Sequence, residues 1–157
     1  MSAIKFLGLK IFFSIVLLLT FFSCSSKTEK TIPKNNEITF ISVSNVSGNL
    51  DNYRLIKITR DSIVSEQGNT AKQIHKQRAF AIQTKTWKEL TQTFNLKTLD
   101  HIKSSESIQA KGGTDEVFQI RTSKKSHVYV NSYHDTIHYK QFQRFKTQLE
   151  KILSEHP

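Results

Sequence analysis

Residues 53–66 read Tyr-Arg-Leu-Ile-Lys-Ile-Thr-Arg-Asp-Ser-Ile-Val-Ser-Glu, and this stretch decides the fold. Tyr53–Thr59 is rich in β-branched and aromatic residues, which is typical of a strand. Arg60-Asp61-Ser62 is a tight-turn sequence, and Ile63–Glu66 returns as a second strand. Because so short a turn joins only antiparallel neighbours, the stretch predicts an antiparallel sheet.

Further strands are predicted on both sides of this hairpin. Ile38–Val43 precedes it, and a loop at Asn45–Asp51 separates the two. After a turn at Gln67-Gly68-Asn69, the segment Ala71–Gln83 has apolar residues at even spacing and predicts a fourth strand with a polar early half. The basic residues of this strand suit a solvent-facing side or a sheet edge; they are Lys72, Lys76 and Arg78.

In two later segments the apolar period changes from two to about 3.6. In Lys85–Asn95 the apolar residues recur every three or four positions; they are Trp87, Leu90 and Phe94. Tyr139–Ser154 has a stripe of the same kind, formed by Phe142, Phe145, Leu149, Ile152 and Leu153. Both segments predict amphipathic helices that face the core, where Trp87 is expected to pack.

The remaining elements complete a single domain over residues 38–157. Glu116–Thr122 and Ser126–Tyr133 predict a hairpin, and Ser104–Asp115 before it predicts a long loop. The element order is therefore ββββ-α-ββ-α. It predicts an α+β fold, with an antiparallel sheet of about five to six strands and two helices packed on one face. The other face of the sheet is expected to be partly solvated.

The N-terminus has the three parts of an export signal. Lys5 and Lys10 give a positive start without an acidic residue, and residues 11–22 form an apolar run with only Ser14 and Thr20 as polar members. The run ends at Ser23 and Cys24, and Cys24 is the single cysteine of the chain. An apolar stretch counted from Ile4 leaves an uncleaved membrane anchor as an alternative.

The segment Leu19-Thr20-Phe21-Phe22-Ser23-Cys24 resembles the lipobox of bacterial lipoproteins, in which a small residue precedes an invariant cysteine. That family prefers Leu where Phe21 stands and a small residue where Phe22 stands. The resemblance implies cleavage before Cys24, a thioether-linked lipid on its sulfur and acylation of its amino group. It predicts a signal peptide at 1–23 and, with the polar residues that follow, a lipidated cysteine and flexible tether at 24–37.

The charge and cysteine content narrow the classes of partner. Without the leader the chain has 21 basic and 13 acidic residues, a net charge of +8. The basic residues are scattered, and the densest mature doublet is Lys124-Lys125, so no nucleic-acid partner is predicted. A basic surface favours anionic lipid headgroups or acidic polymers. A single cysteine excludes an intramolecular disulfide and a cysteine metal site.

His134-Asp135-Thr136-Ile137-His138 is the one arrangement typical of catalytic chemistry. Two histidines four positions apart on a helix share one face and bind zinc in metalloproteases that have the sequence His-Glu-x-x-His. Here Asp replaces Glu, and the segment lies between a strand and a helix. Capping of the last helix by Asp135 or Thr136 is the alternative interpretation, and no metal or cofactor is assigned.

Loops offer the other candidate binding positions. Lys111–Asp115 is glycine-rich and ends in an acid, so Gly112, Gly113 and Asp115 are candidates, as is the loop at Asn45–Asp51. The last predicted strand has an aromatic group, formed by His127, Tyr129 and Tyr133. The sequence does not indicate whether this group faces the solvent or the helices. No Gly-x-Ser-x-Gly sequence is present, so no serine-hydrolase site is predicted.

The sequence thus predicts a membrane-anchored envelope lipoprotein that faces the periplasm or the exterior. Its domain is expected to be a non-catalytic module that binds an envelope protein or polymer. The alternatives are a metal-dependent hydrolase that uses His134 and His138, and a charge-driven binder of anionic lipid or polysaccharide. The sequence does not indicate an oligomeric state.

Overall fold

A computed structural model describes residues 36–48 and 52–156 of the chain. Its strands are β1 (Ile38–Ser47), β2 (Tyr53–Ile58), β3 (Ser62–Asn69), β4 (Ile74–Ala81), β5 (Thr114–Thr122) and β6 (Ser126–Val130), and its helices are α1 (Thr84–Thr91) and α2 (Lys140–Glu155). The predicted signal peptide, Cys24 and nearly all of the tether lie outside the described residues. In the described ranges, every helix is too short or too polar to cross a membrane.

The strands form one antiparallel sheet in the order β4-β3-β2-β1-β5-β6. Four strands form consecutive hairpins, and β5 then pairs with the free side of β1. This topology confirms the predicted α+β fold and the order ββββ-α-ββ-α. Three short 3-10 turns accompany these elements; they are Leu99–His101, Gln109–Lys111 and Ser132–His134.

The core lies on one face of the sheet because alternate residues of neighbouring strands are in register there. Ile41 pairs with both Ile58 and Ile120, and Val43 pairs with both Ile56 and Phe118. Side chains of cross-strand pairs lie on the same face, so these residues form a continuous apolar surface. All of them are buried in one cluster.

Both helices cover this apolar surface. From α1, Trp87 and Leu90 are buried, as predicted for Trp87. From α2, Phe142 is stacked on Phe118 with ring centroids 4.2 Å apart, and Phe145 is also fully buried. No helix of the described residues lies on the opposite face of the sheet, and Val128 on that side is 56% exposed. The helices are therefore on one face, as the sequence predicts.

Tertiary pairing shifts several element ends away from the local sequence signals. β1 continues through Asn45 and Val46 because both residues pair with β2 and with β5. β3 continues to Asn69, so Gln67-Gly68-Asn69 is part of a strand and the prediction of a turn there is wrong. The reversal instead occupies residues 70–73. Cross-strand hydrogen bonds outweigh the weak turn preference of Gly and Asn within a long ladder.

Candidate functional site

Helix α2 crosses the core face of the sheet and leaves one end of that face uncovered. Beside the N-terminal half of the helix, Lys146 contacts Glu116 of β5; farther along, Glu150 contacts Arg54 of β2. At the C-terminal end, His156 is stacked on Phe80 of β4 with ring centroids 4.2 Å apart. The sheet residues beyond this line are polar, and they form the candidate site.

The first row of the uncovered area runs across all five strands from β5 to β4. Register places Asn45 opposite Glu116 and Arg54, and places Gln67 opposite Arg54 and Lys76. From Asn45 onward the row therefore alternates amide and cation. It continues the core face, so its polar character comes from the sequence at the strand ends rather than from a change of face.

The second row is made of hydroxyls and amides. Ser47 pairs with Thr114, and their hydroxyl oxygens are 3.1 Å apart. Asn69 donates a hydrogen bond from Nδ2 to Oδ1 of Asn52 over 3.1 Å. The row ends at Ile74, an apolar side chain that is 46% exposed.

The first row from Asn45 to Lys76 and the second row together line an open groove with a volume of about 700 Å³. Its lining is Asn45, Ser47, Asn52, Tyr53, Arg54, Gln67, Gly68, Asn69, Lys72, Ile74, Lys76 and Thr114. A smaller recess of about 240 Å³ shares three of these residues and extends to Arg78. We call the larger space the polar groove. Among the described residues that line it there are three cations and four side-chain amides, and no Asp or Glu.

The cations of the polar groove differ in how they are paired. Arg54 donates two hydrogen bonds to the Glu150 carboxylate, at 2.7 and 3.1 Å. Within the described ranges, no carboxylate lies within ion-pair distance of the ammonium groups of Lys72 and Lys76. The groove therefore has a positive potential, which draws anionic ligands.

A close approach of two strands shapes one end of the groove. A Cβ added to Gly68 would lie 2.2 Å from the carbonyl oxygen of Ile74 and 2.9 Å from the ring of Tyr53, so only glycine fits there. The Tyr53 hydroxyl in turn lies 2.7 Å from Nδ1 of His75. In the next turn, Asn69 accepts a hydrogen bond from the Lys72 amide, and Gln73 adopts a positive φ of 53°. The hydrogen bond to Asn69 holds the backbone of Lys72 in this turn beside the groove.

The two histidines that were candidates for metal binding lie on different local structures. His134 ends a 3-10 turn, with its ring centroid 4.5 Å from that of Tyr133, whereas His138 lies in the turn before α2. The His101 ring is stacked beside His138 at 6.4 Å between centroids. Within residues 36–48 and 52–156, no three His, Cys, Asp or Glu side chains are grouped so that they could hold a metal ion.

Asp135 acts as a structural acceptor in this segment. Its carboxylate accepts hydrogen bonds from the backbone amides of His138 and Lys103, each at 3.0 Å, and lies 3.0 Å from Nδ1 of His138. Burial acts to raise the pKa of Asp135, but these hydrogen bonds outweigh it and lower the pKa to about 2. Asp135 thus caps the turn before α2 and ties it to the segment after α1.

The glycine-rich loop is held in place by its own acid. Asp115 is 3% exposed and accepts hydrogen bonds from Ser107 Oγ at 2.5 Å, from the Ile108 amide at 2.9 Å and from Asn131 Nδ2 at 2.7 Å. Gly112 has a φ of 76°, and Gly113 donates to the Ile108 carbonyl. The Asp115 carboxylate is therefore occupied by protein donors, and among the described residues of this loop Thr114 is the one that lines the polar groove.

The aromatic group of the last hairpin is divided by the fold. Tyr129 is buried and donates a hydrogen bond to the Leu99 carbonyl at 2.8 Å, while His127 is stacked beside it. Tyr133 lies beyond the end of β6 and is 39% exposed. This group therefore belongs mainly to the core side of the sheet.

Part of the groove comes from segments that the sequence indicates as candidates, because Asn45 and Ser47 belong to Asn45–Asp51 and Thr114 belongs to Lys111–Asp115. The other groove residues were not among the candidates. The one local signal for them is the predicted strand Ala71–Gln83, whose polar early half contains Lys72 and Lys76. Asn45, Arg54 and Gln67 come from three other strands, and only the register brings them into one row.

No family model matches the chain, and neither a curated protein nor a solved structure matches it.

Proposed function

We propose that this chain is an envelope lipoprotein, anchored to a membrane through acyl chains on Cys24, whose domain is a non-catalytic module that binds an envelope component in the polar groove. The anchor is supported by the lipobox-like sequence that ends at Cys24. Several acyl chains, each contributing about 0.8 kcal/mol per buried methylene, hold such a protein stably at a membrane.

The observation that carries the binding proposal is the unpaired hydrogen-bonding capacity of the groove. Lys72 and Lys76 have no carboxylate partner among the described residues, and no described residue is hydrogen-bonded to the side-chain amides of Asn45 and Gln67. In a folded protein most polar side chains form hydrogen bonds with other protein groups or with water. A concave area that gathers several donors without a protein partner therefore favours ligand binding. The described lining contains neither paired carboxylates for acid–base chemistry nor a serine beside a histidine for nucleophilic chemistry.

The anchor is tested by Cys24→Ser in the cells that make the protein. The variant is expected to stay at precursor size and to incorporate no labelled palmitate, because the sulfur that receives the lipid is gone. Ser25→Ala is the matched control and is expected to be processed like the wild type. Mature-sized protein from Cys24→Ser, seen by mass spectrometry, contradicts the lipid anchor.

The groove is tested with the purified lipidated protein, immobilised in detergent and incubated with solubilised envelope. The variant Lys72→Gln/Lys76→Gln is expected to lose most of the material that the wild type retains. Lys57→Gln/Lys97→Gln removes the same charge from exposed positions outside the groove and is expected to retain it. Equal retention by both variants contradicts binding in the groove. Stoichiometric zinc that disappears in His138→Ala would instead support the hydrolase alternative.

A further inference from the structure

The free groups of the polar groove have a specific chemical complement. A side-chain amide offers two donors and an acceptor, and a sugar hydroxyl is both donor and acceptor. The side-chain amides of Asn45 and Gln67 in the first row are free to match hydroxyl groups. In the second row Ser47 is paired with Thr114 and Asn52 with Asn69, so these side chains offer a ligand only their remaining donors and acceptors. An acyl chain or an aromatic ligand would leave the amides of Asn45 and Gln67 unsatisfied, at a cost for each.

The cations of the polar groove favour a ligand that is negatively charged. Arg54 and Lys76 lie two strands apart in the first row, a separation of about 10 Å. Lys72 lies at the same end of the groove as Lys76. Charges spaced along the row suit a ligand with repeated anionic groups better than one with a single charge. Ammonium and guanidinium groups form their strongest hydrogen bonds with carboxylates and phosphates.

The shape of the groove favours an extended chain. The part of the first row that lines the groove runs from Asn45 of β1 to Lys76 of β4, a span of about 14 Å, and the groove is open to solvent along it. Pockets for compact ligands are enclosed and mainly apolar. Protein interfaces concentrate aromatic anchors, and here Tyr53 and Ile74 are the only large apolar side chains among the described lining residues.

We infer that the polar groove binds a linear acidic polysaccharide, with its hydroxyls on the amides and its carboxylates on Lys72, Lys76 and Arg54. This inference rests on the proposed function and names its ligand class. Arg54 donates two hydrogen bonds to Glu150 and keeps its remaining donors for a ligand, while Lys72 and Lys76 have no carboxylate partner among the described residues.

The test measures binding of two uronate polymers, polygalacturonate and alginate, to the lipidated protein in detergent at fixed salt. Both polymers are expected to bind. Two control polymers are each expected to bind about tenfold more weakly than the uronate polymers. Carboxyl-reduced polygalacturonate keeps the hydroxyls without the charge, and poly-L-glutamate keeps the charge without the sugar hydroxyls. Lys72→Gln/Lys76→Gln is expected to weaken uronate binding about tenfold, and Lys57→Gln/Lys97→Gln to leave it unchanged.

An amide variant separates a polysaccharide from other anions. Gln67→Leu is expected to weaken polygalacturonate binding about threefold to tenfold, without affecting the weak binding of poly-L-glutamate. Gln143→Leu changes an exposed glutamine of α2 outside the groove and serves as the matched control.

Three results overturn the inference. Equal affinity for poly-L-glutamate and polygalacturonate indicates an acidic peptide as ligand, and equal losses in the groove and control variants indicate diffuse charge. Failure of both uronate polymers to bind overturns the ligand class. The retention experiment with solubilised envelope then separates two cases. If Lys72→Gln/Lys76→Gln retains less envelope material than the wild type, the groove still binds an envelope component and only the ligand class is wrong. If this variant retains as much as the wild type, the proposed function is wrong as well.

Discussion

The side-chain amide of Asn131 donates a hydrogen bond from Nδ2 to the Asp115 carboxylate over 2.7 Å. Asn131 is fully buried, follows the end of β6 and has a positive φ of 48°. Its Oδ1 accepts from the Glu116 amide, and its Nδ2 also donates to the Glu106 carbonyl. One residue thus joins the end of β6, the start of β5 and the loop before β5.

Substitution of Asn131 by Ala is expected to destabilise the protein by about 3 kcal/mol, since it leaves buried acceptors without donors and keeps a left-handed backbone. Asn131→Gly loses the same hydrogen bonds but adopts this φ without strain. It is expected to be about 1 kcal/mol more stable than Asn131→Ala. Urea unfolding measures both. Equal midpoints for the two variants would show that the positive φ carries no strain.

Asp135 is expected to make the stability depend on pH at the acidic end. Its pKa is about 2 in the fold against an ordinary value of 3.8, so the folded state favours the ionised form. Its stabilising contribution is therefore complete above about pH 5 and is lost as the pH falls toward 2. In urea unfolding, the stability lost on Asp135→Asn is expected to be largest near neutral pH and to shrink below pH 4. A difference that stays constant down to pH 2 contradicts this assignment.

Two glycines are expected to respond differently to alanine. Gly68→Ala forces a Cβ against the Ile74 carbonyl oxygen, and the backbone must move, so a loss of about 2–3 kcal/mol is expected. At Gly112 a Cβ has no atom within 4 Å, and the φ of 76° alone costs about 1 kcal/mol. Thermal unfolding of the two variants measures the contrast. A smaller loss at Gly68 than at Gly112 is the contrary result.

The ion pair between Arg54 and Glu150 is expected to orient the guanidinium more than to stabilise the fold. Their side chains are 33% and 56% exposed, and exposed pairs contribute about 0.2–1 kcal/mol. A double-mutant cycle with Arg54→Ala and Glu150→Ala is expected to give a coupling of about 0.5 kcal/mol at low salt. It should nearly vanish at about 1 M salt, where the screening length is about 3 Å. A salt-independent coupling above 2 kcal/mol would contradict a solvent-screened pair.

The fold was predictable from the sequence to the extent that each element depends on its own residues. The apolar stripe of Phe142, Phe145 and Leu149 predicts a helix and its buried face without any knowledge of the elements that pack against it. The short turn after Thr59 forces an antiparallel pair. Element ends were less predictable, because Asn45 and Gln67 join strands only through hydrogen bonds to residues distant in sequence.

The candidate loops were only partly interpretable from local sequence. A glycine-rich segment before an acid is typical of both a binding loop and a tied-down turn. The difference lies in Ser107 and Asn131, whose donors reach Asp115 only in the folded chain. Likewise, His134 and His138 have helical spacing in the sequence, but the turn capped by Asp135 places them on separate local structures.

By itself, the sequence determined the element types, their order and the side of each helix that faces the core, because those follow from short-range periodicity. It also supplied the lipobox-like leader and the predicted lipid on Cys24. Only the tertiary structure decided where the free polar groups gather. The polar groove takes most of its amides and cations from four strands. Cross-strand register, which depends on all the pairings at once, brings them together.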